Sequence, residues 1–136
     1  MTSIRKIHHV AVVVEDVERS LHFWRDVLGM DPSMVKTIPE QKARIAFLPA
    51  GEGELELVQP VDADSGLARY LAKRGQGMHH ICLQVDDIGS LLTRMKANGV
   101  RLIDEQPVKG EAGKLYAFIH PESTGGVLVE LYQLPE

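Results

Sequence analysis

The chain has 136 residues, 44% hydrophobic and 25% charged, the size and balance of one globular domain able to bury a core. A formal charge of −4, with no run of Lys and Arg longer than a pair, argues against a nucleic-acid or membrane-surface partner. Cys82 is the only cysteine, "MTSIRK" carries no apolar signal region and no stretch reaches transmembrane length, so the reading is a cytoplasmic protein without intrachain disulfides.

In chain order, "IRKIHHVAVVV" reads as a strand, and Asp16 then stands where a helix N-cap belongs. Val17 to Leu28 follow at helical period, and Gly29 ends the helix. A weaker strand is expected around Met34–Lys36, before "ARIAFLP" and "ELELVQP", which read as strands joined by the "AGEGE" turn. "DADSGLARYLAKRGQG" has a cap at Asp64 or Ser65, a short helix and glycines that close it. The remainder repeats the scheme: "MHHICLQV" as a strand, Asp87 as a cap, Ile88 to Asn98 as a helix and Gly99 as its stop. A weak strand around Arg101–Ile103 follows, then "KLYAFIHP" and "GVLVELYQ".

The echo is regular. An offset of 71 residues carries His8 and His9 onto His79 and His80, Asp16 onto Asp87, Leu21 onto Leu92, Glu40 onto Glu111 and Phe47 onto Phe118. "ELVQ" at Glu56 to Gln59 returns as "ELYQ" at Glu130 to Gln133, now 74 residues on, which implies three extra residues in the last loop. Such self-similarity marks an internal duplication. The chain is read as α+β, one domain over residues 1–136 built from two tandem βαβββ modules. Module one covers about 4–60, a connector helix about 64–75 and module two about 77–134.

Side chains alternate across a strand, so His8 and His9 are expected on opposite faces. Ile81, Leu83 and Val85 share a face with His79, and this aliphatic side suits the helix; His80 lies with Cys82 and Gln84 on the other. The repeat puts His9 on the equivalent inward side, beside Ala11. Leu55 and Leu57 turn Glu54 and Glu56 inward, and the repeat selects Glu56 as the partner of Glu130. Taken singly, His9 reads as a satisfied core or surface histidine and Glu56 as a solvated strand residue. The duplication reverses that, because matched inward positions carry the same residue types twice. A buried unpaired carboxylate is costly unless it is paired or bound to a metal. Two His and two Glu converging on the axis between equivalent modules suit a divalent transition ion with open positions. His8 and His79 read as structural, and His22 as surface.

The paired modules and their His/Glu/His/Glu set resemble the vicinal oxygen chelate superfamily, which includes glyoxalase I and extradiol dioxygenases. Within it the nearest likeness is to the methylmalonyl-CoA epimerase family. It is carried by "IHHVAVVVEDVERSLHFWRDVLGM", "PEQKARIAFLP", "ELELVQP", "DSGLARYLAKRGQGMHHICLQVDD" and "HPESTGGVLVELYQ". The resemblance implies a glyoxalase-like mixed sheet around a metal site, with His9, His80 and Glu130 as ligands and Glu56 at a fourth, more variable position. The ion would be Co2+ or another divalent transition metal. The implied reaction is epimerisation of methylmalonyl-CoA by proton removal and return at C2 through an enolate. Glu40, in "IPEQK", matches the family's base. Glu130 or Glu111 would be the second acid/base. Glu111 lies in "GEAGK", a departure from the family's small residue and His before Gly-Lys. Lys114, beside the metal strands, is placed to meet a carboxylate or phosphate of the acyl-CoA. The family resemblance further implies a homodimer. The alternatives are a glyoxalase I-type lactoylglutathione lyase and a non-catalytic ligand-sequestering protein of the bleomycin-binding type. The low aromatic content disfavours the latter.

Overall fold

The helix that follows the first strand of each module begins as its cap requires. In the computed structural model, which describes residues 3–136, Asp16 accepts from the Arg19 N–H at 3.0 Å and Asp87 from the Ser90 N–H at 3.1 Å. Each satisfies a backbone donor that the helix itself leaves unpaired. Helix α1 spans Val17–Leu21 and α3 spans Ile88–Ala97. Between them α2, Gly66–Arg74, is capped by Ser65, whose Oγ accepts from the Ala68 N–H at 3.1 Å. The strands are β1 (Ile4–Val13), β2 (Met34–Ile38), β3 (Ala43–Ala50), β4 (Gly53–Pro60), β5 (Gly77–Val85), β6 (Val108–Lys109), β7 (Leu115–Ile119) and β8 (Val129–Gln133). The element order over each repeat is therefore β-α-β-β-β.

By internal contacts the chain forms two compact units, one of residues Val10–His79 and one of the residues up to His9 together with His80–Glu136. Their boundaries fall inside β1 and β5 rather than in the connector.

In the Val10–His79 unit the strand order is β2-β3-β4-β1, with β2, β3 and β4 antiparallel. Alternation along the strands separates two apolar layers. Val14, Val17, Leu21, Ala46, Leu48 and Leu57 pack with α1, while Ala11, Ile38, Ala43, Ile45 and Val58 pack with Leu67 of α2. The first helix departs from a continuous α-helix over Val17 to Leu28. After Leu21 it widens into a π-helix over His22–Val27, and the Leu28 N–H reaches back five residues to Phe23 O. In this wider coil Trp24 keeps its contact with the α1 layer, while Phe23, Val27 and Leu28 face solvent. Gly29 closes the segment at φ +89°, a conformation that glycine adopts without steric cost.

In the other unit the order is β1-β5-β8-β7-β6, with β5 and β8 parallel and β7 antiparallel to both β8 and β6. Helix α3 buries Ile88 and Leu92 against Val85, Ala117, Ile119, Val129 and Leu131. This is the aliphatic side that alternation predicts for β5 and β8. The weak strand expected around Arg101–Ile103 is only a single bridge, Leu102 to Ile119; the short strand beside β7 lies later, at Val108–Lys109. The reason is local. Ile103 N–H and Asp104 N–H both turn to Phe118 O, and the Asp104 carboxylate takes the Phe118 N–H at 2.8 Å, so turn bonds replace a ladder.

The duplication holds at the level of register. Phe47 pairs with Glu56 and Ala46 with Leu57; Phe118 pairs with Glu130 and Ala117 with Leu131. The three extra residues therefore lie wholly in the loop before β8. The helices are tied down alike: Gln59 Oε1 accepts from the Val17 N–H at 2.9 Å, and Gln133 Oε1 accepts from the Ile88 N–H at 2.7 Å.

Candidate metal centre

Glu130 faces away from α3 because its neighbours Val129 and Leu131 are committed to the α3 core. The β5–β8 register sets Cys82 opposite Glu130, and His80, two residues before Cys82, shares that inward face. His9 completes the group from β1. His9 Nε2 lies 3.2 Å from His80 Nε2 and 3.4 Å from Glu130 Oε1, and His80 Nε2 lies 3.1 Å from the same oxygen. His9 is 2% exposed and Glu130 6%, while His80 is half-buried.

Burial pushes the Glu130 carboxyl toward its neutral form, but the imidazoles of His80 and then His9 beside it outweigh that and hold its pKa at about 2. Glu130 is thus an ionised carboxylate in a low-water setting, facing two imidazole nitrogens. The separations suit a cation. Donors about 2.0–2.2 Å from one ion lie about 3.0 Å apart at adjacent octahedral positions and about 3.4 Å apart in a tetrahedron. The observed edges of 3.1 to 3.4 Å fall in that interval. Two nitrogens and one carboxylate oxygen fit a borderline divalent transition ion better than Ca2+ or Mg2+, which prefer all-oxygen sets.

Two further residues join this surrounding. His8, expected on the opposite face from His9, turns its Nδ1 to within 2.9 Å of His9 Nδ1. Alternation directs Cβ atoms, but an imidazole extends beyond Cβ and can swing its edge toward a neighbour. Tyr132 receives both rings, its centroid 5.0 Å from His8 and 5.4 Å from His9. Burial, helped by His9, lowers the His8 pKa to about 4, so its imidazole is neutral near pH 7. The HH pair was visible in the sequence, and Tyr132 stands two residues from Glu130; period-2 spacing could have found the tyrosine.

Lys114 donates from Nζ to the Tyr132 hydroxyl at 3.0 Å and lies 4.7 Å from that ring's centroid. The lysine is thus linked through Tyr132 to both histidines of β1. The Phe118 ring borders His80 at 5.7 Å. The buried Cys82 thiol, His8 and His9 also have ligand atoms within 4.8 Å of one another. Gln84, on the same row as His80 and Cys82, has a buried Oε1 without a hydrogen-bond partner.

The other sequence-predicted residues lie elsewhere on the chain. Glu56 is buried on β4, 9% exposed and opposite Phe47, and is not one of the three clustered donors. Glu40 is exposed on the 3-10 turn Pro39–Gln41, which Lys42 leaves at φ +52°. Glu111 is exposed on the matching turn, Glu111–Gly113.

Comparison with known proteins adds to this geometry. The family model of the glyoxalase/bleomycin resistance protein/dioxygenase superfamily matches residues 8–118. The mitochondrial methylmalonyl-CoA epimerase of Mus musculus is 39% identical over 129 residues, covering 94% of this chain and 72% of that protein. The ethylmalonyl-CoA/methylmalonyl-CoA epimerase of Cereibacter sphaeroides is 33% identical, covering 96% of this chain and 99% of that protein. A Streptomyces coelicolor methylmalonyl-CoA epimerase variant, solved with 2-nitronate-propionyl-CoA, superposes with a TM-score of 0.85 at 29% identity. That match covers 97% of this chain and 96% of the other. The chain belongs to the glyoxalase/bleomycin resistance protein/dioxygenase superfamily and, within it, to the methylmalonyl-CoA epimerase family.

Proposed function

We propose that this protein epimerises methylmalonyl-CoA at C2, with His9, His80 and Glu130 holding a divalent transition ion. The carrying observation is the triangle of donors with edges of 3.1 to 3.4 Å, in a chain whose relatives include epimerases of this thioester. Such an ion, when bound, supplies Lewis acidity toward negative charge developing on a thioester oxygen. Co2+ is a suitable occupant, and other first-row divalent ions share the ligand preference. The family resemblance adds Glu56 as a fourth ligand.

The proton steps belong to the chain's own carboxylates. Glu40, the family's base by resemblance, takes the proton from C2, the carbon flanked by thioester carbonyl and carboxylate. Protonation from the opposite face then inverts the centre, with Glu130 as the acid/base and Glu111 as the rival. Lys114, a cation anchored on Tyr132, suits the substrate carboxylate or a phosphate of the coenzyme. A homodimer and a cytoplasmic setting remain parts of the same reading. No helix among the described residues is long and apolar enough to cross a membrane.

The test is metal analysis of the purified protein followed by deuterium wash-in at C2 of methylmalonyl-CoA, with and without chelator. Exchange that chelation abolishes and Co2+ restores is the expected result. Exchange untouched by complete metal removal would overturn the metal role, and no exchange in the metal-loaded protein would overturn the reaction.

A further inference from the structure

We infer that His8 is a positioning residue for the metal centre: it accepts the Nδ1 proton of His9 and so fixes His9 in the tautomer whose Nε2 lone pair is free to bind a cation. The inference rests on the metal reading of the previous subsection and deepens it.

The two nitrogens of His9 have different surroundings. Nε2 faces His80 Nε2 at 3.2 Å and Glu130 Oε1 at 3.4 Å, while Nδ1 faces His8 Nδ1 at 2.9 Å. A neutral imidazole carries one N–H and one lone pair, so a ring that ligates through Nε2 must keep its proton on Nδ1. That proton then points at His8. Two nitrogens 2.9 Å apart share a single proton, so His8 Nδ1 is the acceptor and His8 carries its own proton on Nε2.

The acceptor is unusual in kind. Ligating histidines ordinarily give their second N–H to a carboxylate, a backbone carbonyl or water. A neutral imidazole fixes the ring's orientation and proton without adding negative charge behind the ligand, which keeps more positive charge on the ion. His8 is itself held, half-buried and with its ring 5.0 Å from that of Tyr132. Tyr132 is held in turn by Lys114 at its hydroxyl. The chain Lys114–Tyr132–His8–His9 thus braces one donor of the triangle without touching the ion.

Two substitutions separate this role from simple packing. His8→Leu keeps apolar bulk but removes the acceptor. His8→Asn carries an amide oxygen one bond from Cγ, where the Nδ1 of histidine lies, and preserves an acceptor. Metal-free protein is titrated with Co2+, followed by calorimetry and by the visible absorbance of the bound ion. His8→Leu is expected to weaken Co2+ binding by about 10–100-fold, and His8→Asn to recover most of that loss. The 15N NMR spectrum of the metal-free, unsubstituted protein is expected to show His9 protonated at Nδ1 and His8 at Nε2. Co2+ affinity of a folded His8→Leu protein within about threefold of the unsubstituted one would overturn the inference. So would a spectrum with the His9 proton on Nε2. The spectrum needs no substitution, so it decides even where His8→Leu does not fold. Failure of the unsubstituted protein to bind Co2+ would instead sink the metal reading, and the spectrum would still judge the histidine pair.

Discussion

His9 and His80 meet through their Nε2 atoms at 3.2 Å, with the ionised Glu130 within 3.4 Å of both. Without a cation, one proton and a carboxylate must reconcile two lone pairs held at van der Waals distance or less. A divalent ion satisfies all three donors at once. Its binding to the folded chain alone stabilises that state by RT ln(1 + [L]/Kd), about 2.7 kcal/mol at a hundredfold excess over Kd. Thermal melts of chelator-treated protein should therefore rise by several degrees when Co2+ is added. His80→Ala should abolish the rise. An unchanged midpoint in the unsubstituted protein would count against the site.

Glu40 and Glu111 are repeat partners, each on an exposed 3-10 turn. The proposed mechanism makes them unequal. Glu40→Gln should lower kcat on the order of 10²–10⁴-fold, the usual worth of a general base, while Co2+ affinity stays as it was. Glu111→Gln should leave turnover near that of the unsubstituted protein. Deuterium wash-in at C2 measures both, and a comparable loss in Glu111→Gln would transfer the second acid/base role from Glu130 to Glu111.

Gln133 holds the start of α3 by accepting the Ile88 N–H at 2.7 Å, as Gln59 does for Val17. Each amide replaces water at a helix terminus that lacks an internal acceptor. Gln133→Ala should cost about 1 kcal/mol, and Gln59→Ala about the same, read as a lower urea midpoint with an unchanged slope. A stability equal to that of the unsubstituted protein would mean that solvent replaces the amide without loss.

Asp87 titrates below its ordinary value of 3.8, chiefly because the Ser90 N–H, and then the Ser90 hydroxyl, donate to its carboxylate. A depressed carboxyl stabilises the fold fully above that ordinary value. The contribution is lost as pH falls through the lower folded value, because the unfolded chain takes up the proton first. Asp87→Asn keeps a capping oxygen but has no proton to gain. Its acid unfolding curve below pH 4 should be shallower, with little change at pH 7. Superimposable curves would show that the cap adds nothing to acid sensitivity.

Much of the site was legible in spacing. Offsets of 71 and 74 residues found the equivalence of His9 with His80 and of Glu56 with Glu130. The registers Phe47 to Glu56 and Phe118 to Glu130 reproduce it residue for residue. Alternation assigned Val129 and Leu131 to the α3 core and so turned Glu130 the other way. Asp16 and Asp87 cap the helices that their positions predicted. Periodicity and capping are properties of a few consecutive residues, and a repeat offset needs only the comparison of two such stretches.

What the sequence determined by itself was which residues are equivalent and which side of each strand they occupy. Four things were decided only by tertiary structure. His8 turned its ring edge to His9 because Tyr132 and the neighbouring strand shape the space around it. The first helix widened at His22–Val27, and the short outer strand formed at Val108–Lys109 rather than near Leu102. The parallel pairing of β5 with β8 brought Cys82 opposite Glu130 and His80 within 3.1 Å of that carboxylate. Spacing along a chain encodes the direction of a Cβ. The rotation of a ring and the partner of a strand depend on side chains distant in sequence, whose packing selects one arrangement among several that the local pattern allows.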